Sequence, residues 1–162
     1  MKYDGKAGLY VKAVFGHRSK HVLRKMAADL GLRPDPEELH VTIMYSDKHS
    51  PKVADVKYML FKLPARLTSA KAHVTKVEIL RGHNGKHYVV LRLESVTLDA
   101  LHKHFYEVGA RHSYPNYNKH ITLGTTDMMS FKPAGIAKVN DLLSRNPFSV
   151  NYTMSEPENI EE

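Results

Sequence analysis

Histidine passes protons near neutral pH more readily than any other side chain, and this chain has 11 of them in 162 residues. Four stand two places before a Ser or Thr: His17/Ser19, His40/Thr42, His73/Thr75 and His120/Thr122. On a β-strand the side-chain period is two, so such a pair projects from one face, side by side. An imidazole and a hydroxyl placed this way can address one phosphate group together. Ser and Thr are common enough for the bare tripeptide to arise by chance, so context decides among the four. Ser19 is accounted for as the N-cap of a helix. His73 is followed by Lys76 and Glu78 in a half-exposed strand and reads as a surface or sheet histidine. His40 and His120 share more. Each follows a polar, turn-rich loop (RPDPEE and SYPNYNK), each opens its strand, and each has apolar residues around its Thr: HVTI and HITL.

The elements that must position these residues follow from periodicity. Residues 9–15, LYVKAVF, form a strand, with Leu9, Val11, Ala13 and Phe15 on one face. A helix runs from Ser19 to about Leu30 and is stopped by Gly31. Residues 39–46 are a second strand. A short helix or irregular strand occupies Val53–Phe61 and ends before Pro64. Strands at 66–80 and 86–94 flank Asn84-Gly85, a two-residue hairpin signal. A helix over 98–111 carries Leu98, Leu101, Phe105 and Val108 on one stripe. Residues 120–126 form another strand, 135–144 a weaker helix, and FSVNYTMS the last strand. The acidic end, EPENIEE, is expected to fray. Each half thus holds a helix followed by a strand that opens with His-x-Thr, which suggests two similar lobes facing each other.

Composition removes several classes of function. The chain has 24 Lys+Arg against 17 Asp+Glu, a net charge of +7. This excess favours anionic partners such as phosphates or nucleic acid, although it also serves simply as a solubilising charge. Cysteine is absent, which excludes disulfides, thiolate metal sites and a Cys nucleophile. No apolar run reaches the roughly 18–20 residues of a membrane span, and MKYDGKAG lacks the apolar stretch of a signal peptide. A soluble, cytoplasmic protein without a membrane partner is expected. No linker or low-complexity tract divides the chain, so residues 1–162 read as one domain. His17 and His21 are spaced for a shared helical face, but no third metal ligand accompanies them. They read as a solvated pair, and neither a metal nor a cofactor is expected. His83 and His87 flank a hairpin turn, and His102 and His104 point to different sides of their helix.

Two H-x-T-apolar strands in a small cysteine-free chain resemble the 2H phosphoesterase superfamily, which includes RNA 2′,3′-cyclic phosphodiesterases and 2′–5′ RNA ligase-like proteins. GLYVKAVF, a helix, LHVTIMYS and then PNYNKHITLG are similar, more narrowly, to the phage anti-CBASS nucleases, which degrade cyclic oligonucleotide signals of bacterial immunity. The resemblance implies a bilobal α+β fold, with two antiparallel sheets facing a central cleft and helices outside. It implies metal-independent hydrolysis of 3′–5′ bonds in cyclic di- or trinucleotides. If phage-encoded, the protein would work in the host cytoplasm without an obligate protein partner. His40 and His120 would be the acid/base pair, and Thr42 and Thr122 would hold the phosphate oxygens.

Around this quartet, Tyr10 could stack a base and Lys12 could meet a phosphate, although both also read as strand-surface residues. Tyr114 and Tyr117 bracket Pro115 as a stacking lid or as loop anchors. The family uses a late glutamate against a base, for which Glu156 is the candidate. Tryptophan, which stacks the base in the resembled family, is absent here, so base recognition must differ and could use tyrosine. Linear RNA 2′,3′-cyclic or 2′–5′ phosphodiesterase activity, and a non-catalytic nucleotide-binding module, are the competing readings. The catalytic quartet is common to the enzymatic ones.

Overall fold

Leu9, Val11, Ala13 and Phe15 alternate along β1 (Gly8–Phe15), and in the computed structural model all four are buried. Tyr10, Lys12 and Val14 project from the opposite face, which solvent reaches. The model describes residues 8–34, 38–46, 53–81, 86–110, 117–126 and 133–160. After β1 come α1 (His17–Asp29), β2 (Arg33–Pro34), β3 (His40–Ser46), α2 (Val53–Lys62) and α3 (Ala65–Thr68). Then follow β4 (Ser69–Arg81), β5 (His87–Glu94), α4 (Val96–Glu107), β6 (His120–Thr126), α5 (Pro133–Arg145), β7 (Phe148–Met154) and β8 (Glu158–Ile160).

The architecture is mixed α+β, and its strand pairings are antiparallel. The strands do not separate into two sheets as expected. They run in the order β2-β6-β3-β1-β7-β4-β5, with β8 added to β1 and a further pairing of β5 with β6. The path therefore returns on itself. The joint between β3 and β6 is one residue pair, Val41 opposite Ile121. Both side chains are fully buried, so the apolar middle residue of each motif strand enters a common core and draws the strands together.

Helix boundaries follow local chemistry. Ser95 caps α4, its Oγ accepting from the Leu98 N–H at 3.1 Å, and Leu98, Leu101 and Phe105 bury the inner stripe. α5 is pinned to β4 by Asn140, whose amide bonds both the N–H and the carbonyl of Val77. Gly31, at φ 69°, ends the turn after α1 in the left-handed region that glycine favours. Ser19 is not the N-cap expected of it. The helix begins at His17 with Gly16 as cap, and Ser19 Oγ, buried inside, accepts from the Asn151 N–H of β7. The acidic tail does not simply fray: Gly8, Leu9 and Tyr10 pair with Ile160, Asn159 and Glu158, so an edge of β1 captures it. The irregular stretch after β3 contains α2 and then the short α3, which begins directly after Pro64. The Asn84-Gly85 turn lies outside the described residues.

β3 and β6 each break register at the same place in their motif. Val11 pairs with Met44 but Lys12 with Thr42, so Ile43 is an extra residue on β3. Val89 pairs with Gly124 but Val90 with Thr122, so Leu123 is the extra residue on β6. Each is a β-bulge immediately after the motif Thr. It lets two consecutive residues, Ile43-Met44 and Leu123-Gly124, face the core. Gly124 is needed for a further reason. A Cβ there would stand 2.3 Å from the Arg33 carbonyl oxygen, where β2 crosses.

Candidate active site

The joint between β3 and β6 positions the motif residues. With Val41 opposite Ile121, one step along each antiparallel strand sets His40 beside Thr122 and Thr42 beside His120. Because the middle residues point into the core, all four polar side chains share the other face. Directly opposed residues have Cβ atoms about 5 Å apart, and diagonal ones about 7–8 Å. The two histidines are the diagonal pair.

The neighbouring strands extend this face. Lys12 on β1 is the register partner of Thr42, and Arg92 on β5 is that of His120. One row across four strands therefore reads Lys12, Thr42, His120, Arg92, with a cation at each end. Arg92 is held by Glu78 of β4, its Nε donating to Oε2 at 2.7 Å. Lys76 meets the other carboxylate oxygen at 2.6 Å. Hydrogen bonds from Lys76 and then Arg92 hold the Glu78 carboxyl below its usual range.

The two imidazoles differ in environment. His40 Nδ1 lies 2.8 Å from the Glu38 carbonyl. A carbonyl only accepts, so Nδ1 carries the hydrogen and Nε2 is left for proton exchange. The Glu38 side chain pairs with Lys20 of α1, which ties this approach to the helix and is the first cause of a lowered Glu38 pKa. His120 has its Nδ1 buried, and its basicity is depressed. Desolvation is the largest cause and the Arg92 guanidinium the next; the His40 ring acts in the same sense, so the two rings sense each other across the face. Asn118 stands to His120 as Glu38 stands to His40. The Asn118 backbone pulls the other way.

The remaining expected residues fall in different places. The Tyr10 ring meets the His40 ring edge-on, with centroids 6.4 Å apart, and Lys12 Nζ is 6.0 Å from the Tyr10 centroid. Both therefore lie beside the quartet. Tyr117 lies flat on His102 of α4, with centroids 4.0 Å apart and planes 5° apart, and its hydroxyl donates to the Thr42 carbonyl at 2.9 Å. Tyr114 lies outside the described residues. Glu156 is exposed between β7 and β8. It is Glu158, two residues later, that pairs with Tyr10 and shares its face. His73 sits in β4 within 2.6 Å of Ser149 Oγ, away from the quartet in register. His17 and His21 are exposed on α1, and among the described residues no group of three or more His, Cys, Asp or Glu could hold a metal ion.

Arg92, Glu78, Glu158 and His102 escaped the sequence reading. All but Glu158 lie in segments whose element type was expected correctly. Register between strands distant in the chain placed Arg92 and Glu158 here, and His102 arrives from α4 through its hydrogen bond to the Ile43 carbonyl; no local pattern encodes either.

Two His-x-Thr strands joined in this way have the form of a 2H phosphoesterase site. A family model described as anti-CBASS protein Acb1 matches residues 7–145, and the chain belongs to that family. Among its relatives, the anti-CBASS protein Acb1 of Vibrio phage KVP40 is 29% identical over 131 residues, covering 80% of each chain. That of Salmonella phage S16 is 28% identical over 160 residues, covering 94% of this chain and 97% of its own. That of Enterobacteria phage T4 is 30% identical over 123 residues, covering 74% and 73%. Among solved structures, Usb1 of Kluyveromyces marxianus superposes with a TM-score of 0.51 over 97% of this chain and 99% of its own, at 8% identity, a likeness of fold alone. Among the described residues no helix is long and apolar enough to cross a membrane.

Proposed function

We propose that this chain is a metal-independent phosphodiesterase that opens 3′–5′ bonds of cyclic di- or trinucleotide immune signals in the cytoplasm of a phage-infected cell. Family membership supports the enzyme class and the kind of substrate. The observation that carries the mechanism is the Val41–Ile121 pair, which sets two imidazoles and two hydroxyls on one face. In this reading the halves carrying β3 and β6 act as lobes of a cleft, and substrate lies across their joint.

His120 is the base in the first step. Its depressed basicity keeps it neutral at working pH, and with Nδ1 buried it acts through Nε2. It takes the proton of the ribose 2′-hydroxyl, whose oxygen attacks phosphorus. The bond from phosphorus to the 5′-oxygen breaks, and His40 gives its Nε2 proton to that oxygen. The products are a 2′,3′-cyclic phosphate and a free 5′-hydroxyl. Thr42 and Thr122 donate to the non-bridging oxygens, where charge builds in the transition state. Lys12 and Arg92 hold the phosphate-rich ligand from the two ends of the row. Tyr10 and Glu158 take the base side, Tyr10 by stacking.

Digestion of one cyclic dinucleotide in EDTA, followed by analysis of the product ends, tests this. A 2′,3′-cyclic phosphate or 3′-phosphate end is expected. A 5′-phosphate end, loss of activity in EDTA, or turnover only of linear 2′,3′-cyclic or 2′–5′ substrates overturns it.

The pH profile checks the base assignment. Protonation of His120 removes the base, so kcat/KM falls as pH drops through its pKa, below the ordinary histidine value of about 6.5. Arg92→Gln removes a charge that opposes that protonation, and the acid limb is expected to move to higher pH. A limb unmoved by Arg92→Gln removes His120 from the base role.

A further inference from the structure

Tyr117 and His102 have well-defined partners, and neither partner is a substrate group. Both hydrogen bonds converge on the β-bulge of β3. Tyr117 Oη donates to the Thr42 carbonyl at 2.9 Å, and His102 Nδ1, which must carry a hydrogen to do so, donates to the Ile43 carbonyl at 2.7 Å. These are consecutive carbonyls where the ladder with β1 loses register. A bulge re-aims the side chains beside it and interrupts the backbone pairing that would otherwise fix them. Two donors from outside the sheet replace that restraint here.

The donors are themselves held. Their rings stack in parallel at 4.0 Å. Burial, with Asp99 and Tyr152 adding to it, pushes the Tyr117 phenol up, so its hydroxyl remains a donor. Lys119 closes the group, its Nζ 5.1 Å from the Tyr117 centroid and 2.6 Å from Asp99 Oδ1 of α4. Lys119 immediately precedes His120, and its carbonyl accepts from the Leu93 N–H of β5 at 2.9 Å. The group therefore touches both motifs: the approach to His120 supplies the residue that grips the backbone of Thr42.

We propose that Tyr117 and His102 are positioning residues that clamp the bulge after Thr42 and so aim the Thr42 hydroxyl at the reacting phosphate. The activity they serve is the one proposed above, and the inference rests on that reading. Tyr117 then acts on catalysis through Thr42, three residues ahead of the histidine its own loop delivers, and it does not serve as a stacking lid over a base.

The test is a double-mutant cycle on cyclic dinucleotide turnover. Tyr117→Phe keeps the ring and the stack but removes the hydroxyl. It is expected to lower kcat about 10-fold at nearly constant KM, a tenth of the loss that a full ångström of misplacement produces. In a Thr42→Val background the same substitution is expected to change kcat by less than about 2-fold, because the hydroxyl it aims is gone. His102→Asn, which can still donate to Ile43, should retain more activity than His102→Leu. Losses that multiply across the cycle, or a rise in KM with kcat unchanged, overturn the proposal; the latter would make Tyr117 a substrate contact.

Amide hydrogen exchange provides a measurement that needs no substrate. Tyr117→Phe is expected to speed exchange along 41–44 and to leave 121–124 unaffected; equal acceleration of both, or of neither, overturns the clamp. A wild-type chain inactive on every cyclic nucleotide overturns the proposed function instead, and the exchange data still decide whether the clamp exists.

Discussion

Alanine at His120 lowers turnover of a cyclic dinucleotide by about 10³-fold, within the range that loss of a positioned proton-transfer group produces. His40→Ala gives a loss of the same order, because the bulges and the His-x-Thr register treat the two motifs alike. The double variant falls little below either single one, since base and acid act in one transition state and their losses do not add. Ligand binding survives in all three, because Lys12, Arg92 and the hydroxyls remain. Single-turnover rates at saturating substrate, with equilibrium binding measured separately, check this. A His40→Ala variant retaining most of its rate would falsify the acid/base pair.

The second large effect is expected at the hydroxyls. Thr42→Val and Thr122→Val preserve shape and strand preference while removing one donor each. Hydrogen bonds that tighten onto a developing charge are worth roughly 10²–10³ in kcat when lost, and each single variant should fall in that range with KM little changed. Equal losses at the two positions are the signature of a phosphate held across the two adjoining strands. If one valine variant retains full kcat, that hydroxyl points elsewhere and the phosphate is gripped from one side only.

The His-x-Thr pairs were legible because the unit is short. His-x-Thr needs only the strand period of two to align both groups, and HVTI and HITL carry that period in their own residues. The strands β1, β3, β5 and β6 were equally plain, since each buries a short run of apolar residues. What stayed hidden depends on partners far along the chain. Arg92 enters the site through its pairing with His120, and Glu158 reaches Tyr10 because β1 has an edge to fill. Ser19 had the right residue type for a cap, but its hydroxyl serves β7 instead. The bulges were written in the sequence as two adjacent apolar or small residues after each Thr, Ile43-Met44 and Leu123-Gly124. Without knowledge of the neighbouring strands those dipeptides read as ordinary strand continuation. The same ambiguity hid the single sheet, because its β3–β6 and β1–β7 pairings join strands far apart in the chain.

The β3–β6 joint has a consequence for how the protein becomes active. Val41 and Ile121 are 80 residues apart, so their contact is non-local and needs a long loop to close before it forms. Half of the reacting groups lie on each side of the seam, so partly folded chains hold two inert halves. Turnover thus requires this closure, and during refolding it appears no earlier than the β3–β6 joint forms.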